Sequence, residues 1–79
     1  MAFDYSKLRG RIIEKFGTQK KFAQAMGVSD RTLSLKMNNA ILFRQDEIAK
    51  ATELLELSIS DANEYFLLRK LKKFNNKRG

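Results

Sequence analysis

The stretch TQKKFAQAMGVSDRTLSLKMNN, residues 18–39, constrains the fold of this chain more than any other. It reads as two short helices joined by a tight turn. Thr18 carries a hydroxyl that can cap the first helix. Phe22, Ala23 and Met26 fall at i, i+1 and i+4, on one helical face. Gly27 follows at once, and a glycine ends a helix in the left-handed conformation with no Cβ penalty. Val28 is apolar inside a turn that should be polar, so it is expected to plug the angle between the helices. Ser29 can cap the second helix, and Asp30 suits that helix's positive end. Leu33 and Met37 are i, i+4 and face inward, and Ala23 is small where the helices would cross. This is the spacing of a helix-turn-helix, whose second helix can project side chains into a groove of DNA. It is also the spacing of an αα-hairpin in any small helical bundle.

Size and composition narrow the surroundings of this unit. Seventy-nine residues make one domain, and a chain this short buries only about 60% of its unfolded surface. It has no cysteine, which removes disulfides and thiolate metal sites, and no histidine, the commonest general base and metal ligand. Without proline and with four glycines it favours helices. Sixteen Lys plus Arg against nine Asp plus Glu give a net charge of +7 and a pI near 10.0, the footprint expected of a polyanion binder. The charge is unevenly spread. Lys20, Lys21, Arg31 and Lys36 lie in the two-helix unit, whereas Arg69, Lys70, Lys72, Lys73, Lys77 and Arg78 crowd the last eleven positions. No apolar run approaches the roughly 18 residues that span a membrane, and the first ten residues lack the apolar core of a signal peptide. A cytoplasmic location is the expectation.

Periodicity predicts three further helices. Asp4 can cap one running to about Phe16, with Tyr5, Leu8, Ile12 and Phe16 on one face and Ile13 widening it. Residues 39–44 have no helical period, and their apolar members Ile41, Leu42 and Phe43 are expected to tuck back onto the core. A fourth helix starts near Gln45, where Asp46 and Glu47 suit the positive end, and buries Ile48, Ala51, Leu54 and Leu55. Ser58 and Ser60 offer caps for a fifth beginning near Asp61 and carrying Ala62, Tyr65 and Phe66. Beyond it, Leu67, Leu71 and Phe74 fall at i, i+4 and i+7. The division expected is a helix-turn-helix domain over residues 1–67 and a basic C-terminal extension over 68–79.

Gln19, Ala23, Gly27, Val28, Ser29, Thr32, Leu33 and Ser34, with Asn38 where the third helix ends, resemble the pattern of the phage Cro and cI-repressor helix-turn-helix family. The chain is most similar to small single-domain Cro-like proteins of temperate phages of Gram-positive bacteria. The resemblance spans about residues 4–66 and is specific over 18–39. It implies an all-α, compact five-helix lambda-repressor-like domain with the helix-turn-helix at helices 2 and 3, a phage origin, and operator DNA as partner through the major groove. It implies DNA-binding roles position by position. Gln19 would grip the backbone. Asp30, Arg31 and Leu35 would reach bases. Thr32, Ser34, Lys36 and Asn38 lie where base or phosphate contacts are common, and Arg44 could meet a phosphate. The chemistry agrees for Arg31, which can pair bidentately with guanine, and for Asp30, which can accept from cytosine. Family members often bind as dimers, so a homodimer is also an expectation.

Other residues depart from that pattern. Leu35 puts an apolar side chain at a reading position, and Asn39 stands where glycine is usual, tolerating the left-handed conformation. Two functions from different classes follow. One is a transcriptional regulator that occupies operator DNA at the lytic–lysogenic switch. The other is a modulator or antirepressor that docks on the phage repressor protein, through Leu35, Met37 and Phe43 or through the stripe Leu67, Leu71 and Phe74. A membrane-surface helix over 61–74 ranks third. No phosphate loop, metal spacing or nucleophile–base pair is present in the sequence, so neither enzyme activity nor a cofactor nor a metal is expected.

Overall fold

In the computed structural model, which describes residues 3–67, the chain folds into five helices: α1 (Ser6–Phe16), α2 (Gln19–Met26), α3 (Asp30–Met37), α4 (Gln45–Leu54) and α5 (Ile59–Phe66). No strand occurs among the described residues. The fold class is the all-α one expected, with the helix-turn-helix at α2 and α3. The extension over 68–79, with Leu71 and Phe74, lies outside the described residues.

The caps act largely where hydroxyls and carboxylates were available. The Thr18 hydroxyl accepts from the Lys21 amide, that of Ser29 from the Thr32 amide and that of Ser58 from the Asp61 amide. Asp4 serves α1 from one residue further out than a simple cap: its carboxylate accepts from both the amide and the hydroxyl of Ser6. Because Ser58 is the cap used, α5 starts two residues before the expected Asp61. Gly27 closes α2 at φ +81°. Two non-glycine residues also take the left-handed conformation, Asn39 after α3 and Glu56 after α4. In each case its own amide and the next one bond back into the helix. Asn39 and Ala40 donate to the carbonyls of Lys36 and Leu35, and Glu56 and Leu57 to those of Glu53 and Thr52, which satisfies carbonyls the helix end would leave open.

The core is built from α1 (Leu8, Ile12), α2 (Phe22, Ala23, Met26), α3 (Leu33, Met37) and the later helices (Ala51, Leu55, Phe66), with Tyr5 closing one end. Ala23 is buried between α2 and its neighbours, and half-buried Val28 packs against the core as the plug of the turn. Helix α2 sits at the centre, packed on α1, α3 and α4, while α5 packs on α1 and α4. A run of aromatic contacts links the termini of the described chain: Phe3 stacks on Tyr5, Tyr5 meets Phe43 edge-on at 5.4 Å, and Phe43 meets Phe66 at 5.2 Å.

Two expectations about burial are corrected. Ile13 does not widen the buried face of α1; it is about half exposed, because the neighbouring helices cover α1 only along the Leu8–Ile12 line. Ile41 and Leu42 do not tuck in with Phe43. The amides of Ala40 and Ile41 both turn back to the Leu35 carbonyl, which holds this part of the loop over the end of α3 with its side chains outward.

Candidate interaction surface on α3 and the following loop

Helix α3 is held to α2 by a cross-link at its middle: the Gln19 amide donates to the Ser34 hydroxyl at 3.0 Å. Both side chains are half-buried. At the start of α3 the Ser29 hydroxyl donates to that of Thr32 at 2.9 Å, so Thr32 is engaged by the cap. Asp30, Arg31, Leu35 and Asn38 are exposed and, with the half-buried Ser34, form the outward face of the helix. Arg44, beyond the loop, is exposed and loosely paired with Asp46 at 3.4 Å.

Lys36 is the main correction to the expected DNA-binding set. It is only 6% exposed. Its ammonium lies 2.9 Å from a carboxylate oxygen of Glu47, donates to the Leu42 carbonyl at 3.1 Å and stands over the Phe43 ring. So placed, the ammonium turns inward and not toward the outer face of α3. Glu47 was expected only to complement the positive end of α4. It does so by accepting from the Arg44 amide at 2.8 Å, and it also neutralises Lys36. Burial pushes the Glu47 carboxyl up, but the Arg44 amide together with the hydrogen bond and charge of Lys36 outweigh it and hold the group below its ordinary range.

The expected protein-contact residues divide in the same way. Met37 is buried in the core, while Phe43 is half-buried, packed edge-on against Tyr5 and Phe66. Leu35 at 36%, Ile41 at 42% and Leu42 at 66% exposure form the apolar part of this face, and Leu67 is half exposed at the end of α5. Leu42 and Leu67 flank a cleft of about 180 Å³ floored by Tyr5, Phe43 and Phe66.

Two contributors were missed from the sequence. The Asn39 side-chain amide both accepts from the Phe3 amide and donates to the Phe3 carbonyl, each at 2.9 Å, pinning the start of the chain beside the loop. Glu47 was read as local to its own helix. The only available signal was a buried-face position for lysine on α3 facing a carboxylate eleven residues later.

The face that results is nearly neutral. With Lys36 withdrawn, the exposed charges of α3 are Asp30 and Arg31, one of each sign. Phosphate binding draws its affinity from clustered cations, whereas protein interfaces centre on apolar residues with charges at the rim. Among the described residues no cluster of His, Cys, Asp or Glu is arranged to hold a metal, and no helix is long and apolar enough to cross a membrane.

Residues 1–69 match a family described as a protein of unknown function, DUF739. The chain is also similar to the solution structure of the modulator of repression (MOR) of the temperate bacteriophage TP901-1 from Lactococcus lactis. Identity is 50%, the TM-score is 0.76, and the match covers 91% of this chain and 97% of that one. No curated protein matches the chain. The family matched is thus DUF739, where the residue pattern had pointed to Cro and cI repressors.

Proposed function

The chain belongs to the DUF739 family, and we propose that it acts as a modulator of repression in a temperate phage, binding the phage repressor protein in preference to operator DNA. The observation that carries this reading is the likeness, at 50% identity over nearly the full length of both chains, to a phage modulator of repression. The site chemistry supports it. A helix-turn-helix that reads DNA needs free cations around its second helix. Here Lys36 is neutralised inside the molecule, and Leu35, Ile41 and Leu42 lie outside. The proposed interface has Leu35 and Ile41 at its centre, Leu42 beside them and Arg31 and Arg44 at its edge.

One observation favours the operator reading: Arg31 is exposed in the first turn of α3, where a side chain can reach a guanine edge. Calorimetric titration of the purified chain against the phage's repressor and, separately, against its operator DNA decides between the two. A repressor complex with no sequence-specific DNA binding is the expected result. Specific operator binding without a repressor complex would overturn the proposal.

A further inference from the structure

The cleft between Leu42 and Leu67 has fixed walls. Its floor is a series of three rings meeting edge to face, Tyr5 with Phe43 at 5.4 Å and 86° and Phe43 with Phe66 at 5.2 Å and 83°. Phe3 adds a wall. Its ring stacks on Tyr5 at 6.0 Å, and the Asn39 side chain clamps its main chain. Leu42 and Leu67 form the rim and are exposed. Leu42 is held from behind, because its carbonyl accepts from the Lys36 ammonium and Glu47 fixes that lysine. A cleft already shaped in this way takes a ligand at little ordering cost on its own side.

Size and lining define what fits. The cleft measures about 180 Å³, and an apolar cavity of roughly 150 Å³ lined by Leu, Ile and Phe accepts a benzene molecule. There is room for one phenyl ring. Aromatic rings prefer edge-to-face or offset neighbours with centroids about 4.5–7 Å apart, so a ring entering between Leu42 and Leu67 would extend the series Tyr5, Phe43, Phe66. The source of that ring follows from position. Leu42 belongs both to this rim and to the proposed repressor-binding face, so a partner seated on Leu35 and Ile41 meets the mouth of the cleft. A second copy is a poor donor. Among the described residues the exposed large apolar side chains are Ile13, Leu35, Ile41, Leu42, Ile59 and Leu67, none of them aromatic.

We propose that the cleft is an anchor pocket that receives one aromatic side chain of the phage repressor, at the edge of the contact centred on Leu35 and Ile41. The proposal rests on the repressor-modulator reading and specifies the partner's chemistry: the repressor element that covers α3 carries an exposed ring beside it. It also extends the site to Leu67, a residue of neither α3 nor the following loop. Aromatic anchors in well-packed, desolvated pockets carry much of the energy of protein interfaces.

The test uses the isotope-labelled full chain mixed with unlabelled repressor, with isotope-filtered nuclear Overhauser contacts recorded on the complex. The Leu42 and Leu67 methyl groups are expected to contact aromatic protons of the repressor. Leu67→Ser should weaken the complex by about tenfold, the scale of one interface anchor, with circular dichroism unchanged. Ile59→Ser, at the opposite end of α5, should leave the affinity as it was. A complex in which these methyl groups meet only aliphatic repressor protons, or only rings of their own chain, overturns the proposal and leaves the modulator reading standing. So does equal affinity of Leu67→Ser and the parent. The same contacts in a mixture of labelled and unlabelled chain without repressor overturn it in favour of a second copy. Absence of any repressor complex defeats the modulator reading itself, and the anchor pocket with it.

Discussion

The Lys36 ammonium and the Glu47 carboxylate meet at 2.9 Å beneath the loop that joins α3 to α4, with side chains 7% and 17% exposed. The pair fastens the exposed helix of the helix-turn-helix to the start of α4 and removes a positive charge from the outer face of α3. Breaking it from one side leaves the other charge buried. Glu47→Ala is therefore expected to destabilise the fold by about 3 kcal/mol, the scale for an uncompensated buried charge. The Lys36→Met, Glu47→Leu double variant should recover most of that loss, since an apolar pair of similar volume needs no desolvation. Urea unfolding of Lys36→Met, Glu47→Leu and the double variant gives the cycle. Purely additive losses would show that the two groups are not coupled.

The same carboxylate sets an acid limit. Its folded pKa lies below the ordinary value of 4.5, so the folded state binds fewer protons than the unfolded state there. The stabilisation is complete above the unfolded value and is lost as pH falls through the depressed folded value. Glu56, exposed and held low first by its hydrogen bond to Lys15, acts in the same direction. Thermal midpoints of the parent should fall as pH is lowered below about 4.5, the unperturbed carboxyl range. For Glu47→Gln the fall should be shallower, from a lower starting midpoint. Parallel curves for parent and variant would exclude Glu47 as a source of the acid sensitivity.

Asn39 performs two tasks that substitution can separate. Its backbone sits at φ +65° and its side chain clamps both main-chain groups of Phe3. Asn39→Gly keeps the backbone conformation and loses the clamp, a cost of about 1–3 kcal/mol for two hydrogen bonds. Asn39→Ala loses the clamp and adds roughly 1 kcal/mol of left-handed strain. Chemical denaturation should rank the parent first, Gly second and Ala last. If Gly matched the parent, the clamp would contribute nothing.

What could be read in advance was local. Thr18, Gly27, Ser29 and Ser58 announce helix ends because a hydroxyl or a missing Cβ acts on its own backbone within three residues. The 3.6-residue spacing of Leu8 with Ile12 and of Leu33 with Met37 locates buried faces for the same reason. The fate of Lys36 depended on Glu47 lying opposite it across a loop, which no periodicity contains. The outward turn of Ile41 and Leu42 depended on where the Ala40 and Ile41 amides found a carbonyl. The left-handed Glu56 was hidden because nothing in a glutamate signals a helix end, whereas Asn39 carried that signal. The site was less legible than the fold because an exposed α3 face suits DNA or protein until the position of its lysine is known.

Leu35 separates the two functions. At the middle of the exposed α3 face it gains little from DNA beyond a thymine methyl group, and in an apolar interface it can bury fully, worth roughly 1.5–3 kcal/mol. Leu35→Lys adds a cation to a face whose own lysine is sequestered by Glu47. A phosphate-rich groove should accept that charge and an apolar pocket should reject it. Titrated against the phage's repressor, the variant should bind at least about tenfold more weakly than the parent, since 1.4 kcal/mol is a factor of ten. Arg31→Ala, at the edge of the face, should change that affinity by less, as rim charges do. The order reverses if the chain reads an operator: Arg31→Ala would then cost about 1–3 kcal/mol and relax base preference at one position, while Leu35→Lys would leave DNA affinity unchanged or raise it. Circular dichroism that matches the parent's is needed for both variants, and the exposure of both side chains makes it the expected result. A repressor complex weakened by Leu35→Lys and indifferent to Arg31→Ala would assign the α3 face to protein.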